Sequence, residues 1–272
     1  MFENSYGITK RFDFVVDVIE RLRPMRVLDI GCGTGANLTA PLARRFPTIE
    51  FVGLDSDPAS IEFARKAGPS LNTRYHVELA AEDLGRFDLV IASEVIEHVE
   101  DPDQFLAFLH GRLNTGGQVV LTLPNGYGPF EMVSLAETLL HLSGIYGVLR
   151  WCKRRVRGEK QVAAAVDSLA ISPHINFFGF GEIRSAIAFA GFEIAVTRPR
   201  TLFAGFGFDQ LMTAPRLLAW NARFADRLPA PLVSGWMFLL RPTAAASGGS
   251  PFRRGAYARL RRYLNDKRWR LR

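Results

Sequence analysis

At 272 residues and 48% apolar content, the chain can bury one sizeable core with a small appendage. Two cysteines, Cys32 and Cys152, exclude a disulfide framework and fit a reduced, cytoplasmic setting. The net charge of +7 is unevenly placed: residues 243–272 hold nine Arg or Lys and one acid, a local +8 that leaves −1 for residues 1–242. That distribution argues against a body built throughout for nucleic acid. No charged-then-apolar leader opens the chain, and no run approaches the ~20 apolar residues that cross a bilayer, so a soluble or peripheral protein is expected.

In chain order, Phe12, Val15, Val16, Ile19 and Leu22 fall at helical spacing and predict a helix over 11–22. A strand at 26–30 (Val27-Leu28-Asp29-Ile30) then runs directly into Gly31-Cys32-Gly33-Thr34-Gly35 and a helix over 36–46. Glycine alone turns this tightly at φ > 0 while leaving room for a ligand against the main chain. The next strand, 50–54, ends at Asp55, where a carboxylate can accept from ribose hydroxyls. These features mark a site for an adenosine-containing cofactor. The glycine spacing is not that of a dinucleotide fingerprint, and Asp29 would repel a pyrophosphate; it suits an ammonium or sulfonium cation. The segment resembles motif I of class I S-adenosylmethionine-dependent methyltransferases. By that resemblance, Asp29, Gly31, Cys32, Gly33, Gly35, Asp55, Ser56, Glu82, Asp83, Leu84 and Ser93 bind S-adenosyl-L-methionine. The family usually carries an acid before Ala-Glu-Asp-Leu; here that position is Ala80, which leaves the adenine to Glu82 or to backbone near Ala81.

Further along, a helix is predicted at 58–67 and strands at 74–78 and 87–92. Ser93-Glu94-Val95-Ile96-Glu97-His98 follows the latter at the carboxyl edge of the sheet. In one helical turn Glu94, Glu97 and His98 would share a face. Two carboxylates and an imidazole form a candidate site for Mg2+ or Mn2+; the alternative is a metal-free polar site in which the histidine packs or orients substrate. Asp101-Pro102, a helix at 102–113, Gly116-Gly117 and a strand at 118–123 complete a pattern similar to the ubiquinone-biosynthesis O-methyltransferases and their relatives. It is also similar to the small-RNA 3′-end 2′-O-methyltransferases, in which two Glu and two His hold a metal. That resemblance implies Glu94, Glu97, His98 and His174 as metal residues. His98 and His174 are also the candidates to help an oxygen acceptor lose its proton.

Helix 180–190 and strands 192–198 and 234–241 close an α/β, doubly wound, seven-stranded and mostly parallel sheet with helical insertions. The resemblance implies that the last strand inserts antiparallel beside the sixth. Residues 1–242 are expected to be the methyltransferase domain, with 125–178 and the Phe- and Leu-rich 199–232 as substrate-covering elements. Within the first, Met132, Leu135, Ala136, Leu139, Leu142, Tyr146 and Leu149 share a helical face, followed by a basic cluster between Arg150 and Lys160. Such a helix is a lid, or it lies on an anionic membrane surface, through 131–160 and 253–272. Residues 243–272 read as a flexible basic tail.

The expected function is S-adenosylmethionine-dependent O-methylation of a small, partly hydrophobic or lipid-linked acceptor. The alternatives are a metal-dependent RNA 2′-O-methyltransferase and a non-catalytic cofactor-binding domain.

Overall fold

The computed structural model describes residues 5–67, 71–77, 84–145, 173–203, 214–243 and 252–269. Helix α1 (Ser5–Leu22) leads to β1 (Arg26–Ile30), α2 (Thr39–Arg45), β2 (Glu50–Asp55), α3 (Pro58–Ala67) and β3 (Thr73–Val77). Then come β4 (Phe87–Ser93), α4 (Pro102–Gly111), β5 (Leu113–Pro124), α5 (Pro129–Leu142), α6 (Phe180–Phe189) and β6 (Phe192–Pro199). Helix α7 (Pro215–Ala225), a short 3-10 turn, β7 (Gly235–Pro242) and α8 (Ala256–Trp269) complete the order.

The sheet runs β3-β2-β1-β4-β5-β7-β6. Strand β7 is antiparallel to both neighbours and the other pairs are parallel, as the resemblance implied. Strand residues alternate between two cores. Leu28, Val52, Val90, Leu121 and Phe238 face one with α4 and α6. Val27, Phe51, Leu89, Val120 and Leu239 face the other with α1 and α2. Burial on both faces is why these strands read as near-continuous apolar runs. The order in which strands are added reverses between β1 and β4, so the loops after these two parallel strands meet at the switch point.

Three elements differ from expectation. Strand β5 begins at Leu113, because Gly116 (φ +79°) and Gly117 absorb a register shift opposite Phe87 and Leu89. Residues 94–98 form no helix: Glu94 sits at φ +61°, and the only turn bond there runs from His98 N–H to Val95 O at 2.9 Å. The basic tail is corrected over 252–269: α8 is a folded helix packed on α5. The glycine-rich part of the supposed linker, 244–251, lies outside the described residues, as do Tyr146, Leu149 and the basic cluster of 150–160.

Candidate active site

The glycine turn is left-handed at Gly31, Gly33 and Gly35 (φ +69°, +55° and +71°). A side chain on Gly31 would collide with Val95 Cγ2, so the two switch-point loops touch there. At Gly35 a Cβ would lie 2.6 Å from the Tyr75 hydroxyl. Tyr75, with Cys32, Ile61 and Ala64, forms an apolar floor under the turn. The Cys32 side chain belongs to that floor, and its N–H donates to Leu54 O at 3.0 Å.

Asp55 fastens the turn: its Oδ2 accepts from Gly33 N–H at 2.8 Å and its Oδ1 from Asp57 N–H at 2.9 Å. Each oxygen keeps a second lone pair, a donor set that fits the vicinal hydroxyls of a ribose. Ser56 beside it is exposed. Asp29 is buried beneath the turn and accepts from Thr39 Oγ1 at 2.5 Å. Leu84 packs at the edge of the core, and Glu82 and Asp83 lie outside the described residues.

The acidic turn after β4 divides in two. Glu94 Oε2 accepts from Arg200 Nη1 at 2.5 Å, and its Oε1 accepts from Thr122 Oγ1 at 2.8 Å. The Ser93 hydroxyl lies 3.0 Å from Thr122 Oγ1 and accepts from Arg11 Nη1 at 2.8 Å. Burial works against the Glu94 carboxylate, but the Arg200 and Arg11 charges outweigh it and hold its pKa below the usual range. The left-handed backbone at Glu94 is what separates this side chain from Glu97 and His98.

Glu97, His98 and His174 do converge, with a ligand atom from each within 4.8 Å of the others. The two rings meet edge-on at 4.9 Å. Glu97 is 1% exposed, and both its carboxylate oxygens are buried without a hydrogen-bond partner among the described residues. Burial and the Glu94 charge push its pKa up to about 8. Burial and neighbouring His174 hold His98 down to about 3, so its ring is neutral at physiological pH. Burial would also lower His174, but the Glu131 charge and hydrogen bond, joined by Glu97 and Glu94, raise it. His98 Nδ1 faces Pro173 O at 3.2 Å and His174 Nδ1 faces Glu131 Oε1 at 2.5 Å. With each Nδ1 so engaged, Nε2 is the nitrogen that each ring offers a cation or a proton. Two orphaned carboxylate oxygens beside two oriented imidazoles fit a divalent cation.

Sequence reasoning missed Arg11, Thr122, Glu131, Arg200 and Arg261. The first four contact predicted residues from more than 25 positions away in the chain, and Arg261 acts through Glu131 from 130 away, so no local spacing betrays them. The one available signal was the pair Glu131 and Glu137 on an otherwise apolar helix.

A family model described as a methyltransferase domain matches residues 8–196. A ubiquinone biosynthesis O-methyltransferase of Azorhizobium caulinodans is 32% identical over 202 residues, 68% of this chain and 70% of that protein. Its namesake from a Chelativorans species is 35% identical over 135 residues, covering 48% of this chain and 49% of its own length; against this relative the chain spans about half. Among solved structures, PKMT2 from Rickettsia typhi superposes at a TM-score of 0.52 with 17% identity, over 83% of this chain and 50% of that one, a likeness of fold. With a family model covering most of the sheet and the glycine turn, Asp55 and the post-β4 loop in place, the chain belongs to the class I S-adenosylmethionine-dependent methyltransferases.

Proposed function

We propose that this methyltransferase acts on a hydroxyl oxygen of a small, partly hydrophobic acceptor held at Glu97, His98 and His174. The observation that carries the reading is the pair of unpartnered Glu97 oxygens buried beside two imidazoles. A nitrogen nucleophile needs no such group, whereas a hydroxyl must lose its proton as it is methylated. S-adenosylmethionine, when bound, supplies the activated methyl; the turn at 31–35, Asp55 and the buried charge of Asp29 would hold it. A divalent cation, when bound by Glu97, His98 and His174, would stabilise the deprotonated acceptor.

The chain's own residues do the rest. The neutral ring of His98 can orient the acceptor through Nε2, and the meeting of the loops at Gly31 and Val95 brings donor side and acceptor side together. Aromatic rings surround the acceptor side: Phe130 and Phe177 lie 6.1 and 6.4 Å from His174, and Tyr127 stacks on Tyr257 at 4.9 Å. They favour an aromatic or prenylated acceptor, consistent with the name borne by the relatives. The RNA alternative loses part of its support, because three arginines of the tail are engaged internally: Arg261 with Glu131, Arg268 with Glu137 and Arg262 with Glu100.

Transfer of tritiated methyl from S-adenosylmethionine to a panel of alkyl-tailed phenols, amines and short RNA tests the reading. Methyl ethers of the phenols are expected; products confined to amines or RNA would overturn it.

Delivery of such an acceptor suits a lipid surface. Helix α5 turns Met132, Leu139 and Leu142 outward at 53%, 48% and 42% exposure, and it buries Glu131 and Glu137. No described helix is long and apolar enough to cross a membrane. Contact along this face predicts co-sedimentation with anionic vesicles that Leu139→Glu abolishes.

A further inference from the structure

The C-terminal helix reaches the acceptor site through a chain of buried contacts. Arg261 and Glu131 are each 1% exposed. Arg261 Nη2 donates to Glu131 Oε2 at 2.7 Å, and Nη1 donates to Glu131 O at 2.8 Å. The other carboxylate oxygen, Glu131 Oε1, meets His174 Nδ1 at 2.5 Å. Asn265 Nδ2 donates to His174 O at 3.0 Å, so α8 holds the backbone of that residue directly and its ring through Glu131. Just before α8, Arg254 Nε donates to Asn176 Oδ1 at 2.9 Å, and Asn176 Nδ2 in turn donates to Ile96 O and Val99 O at 3.0 and 2.6 Å. The segment 252–269 therefore grips both loops that carry Glu97, His98 and His174. One buried and one partly buried arginine on acids of α5 are more than a solvated tail needs.

We propose that Glu131 and Arg261 are positioning residues of the methyltransferase site, and that α8 is the element that fixes His174 for work there. An imidazole donating Nδ1–H to a carboxylate is locked in one tautomer, with Nε2 as the more basic, outward nitrogen. The carboxylate in turn keeps its place only while the planar guanidinium fork holds it in the apolar interior. Tyr257 and Phe177 fill the space around this chain, with the Arg261 guanidinium 4.8 Å above the Phe177 ring. The proposal rests on the reading of His174 as a site residue.

The test uses the full chain with Glu131→Gln, Arg261→Met, Arg261→Lys, and the double variant Glu131→Gln/Arg261→Met, which strands neither charge of the pair in the interior. His174→Ala serves as the reference. Mn2+ affinity by calorimetry and the ring 15N shifts of His174 are read beside kcat. Loss of an oriented imidazole partner is expected to weaken Mn2+ binding and kcat by about 10–100-fold in both the Arg261→Met and double variants. S-adenosylmethionine affinity should stay within about twofold, since those residues touch no part of the glycine turn. Arg261→Lys should recover part of the loss, and the 15N spectrum should change from one tautomer to a mixture in the double variant. If His174→Ala loses activity and Mn2+ binding while the double variant matches wild type in both and keeps its tautomer, the positioning role is wrong. If His174→Ala itself matches wild type, the reading of the site fails instead.

Discussion

Arg200, the first residue past β6, donates to Glu94 Oε2 at 2.5 Å across 106 positions of sequence. Arg200 is buried and Glu94 mostly so, at the start of the loop that carries Glu97. Arg200→Met leaves the Glu94 carboxylate without its main partner, and unfolding free energy should drop by about 3–5 kcal/mol in urea denaturation. The double variant Glu94→Gln/Arg200→Met should regain most of that loss, because no charge is left stranded. Equal stabilities for the single variant and wild type would remove the pair from the account.

Tyr75 supports the glycine turn at a cost. Its hydroxyl is buried without a partner among the described residues, and burial raises its pKa. Tyr75→Phe should therefore stabilise the protein by about 1 kcal/mol. Gly35→Ala forces a left-handed alanine against that hydroxyl and should cost about 2–3 kcal/mol and weaken cofactor binding. Combining the two should recover part of the loss, which differential scanning calorimetry reads directly.

Asp88 at the start of β4 gives a pH dependence. Burial works against its charged form, but hydrogen bonds from Asn114, Met25 N–H and Arg26 N–H, aided by the Arg26 charge, outweigh it and lower its pKa. A depressed folded value means support that is present above the unfolded pKa near 4 and disappears as pH falls through the folded value. At pH 7, Asp88→Asn should destabilise by about 1–3 kcal/mol. The gap from wild type should narrow steadily below pH 4. A gap constant down to pH 2 would contradict the assignment.

Much of this was legible in the sequence because it is local. Short continuous apolar runs gave the strands, and Asp29, the glycines and Asp55 lie within 27 positions of one another. The Glu94 to His98 turn misled because spacing alone implies a helix, whereas the left-handed Glu94 backbone sends its side chain to Arg200. The tail misled for a related reason. Its arginines looked solvated in sequence, yet Arg261 and Arg268 are seven positions apart, matching the six between Glu131 and Glu137. Two helices side by side can pair such charges, but pairing across 130 positions leaves no local pattern. Removal of the tail is accordingly expected to harm the small-molecule reaction itself.

The central claim is that Glu97 serves the acceptor side and leaves the donor side alone. Its direct test is kcat on the best alkyl-tailed phenol for Glu97→Gln, beside calorimetric affinity for S-adenosylmethionine. The account predicts a fall in kcat of about 100-fold or more with cofactor affinity within about twofold of wild type. Unchanged kcat that a chelator cannot lower would contradict it.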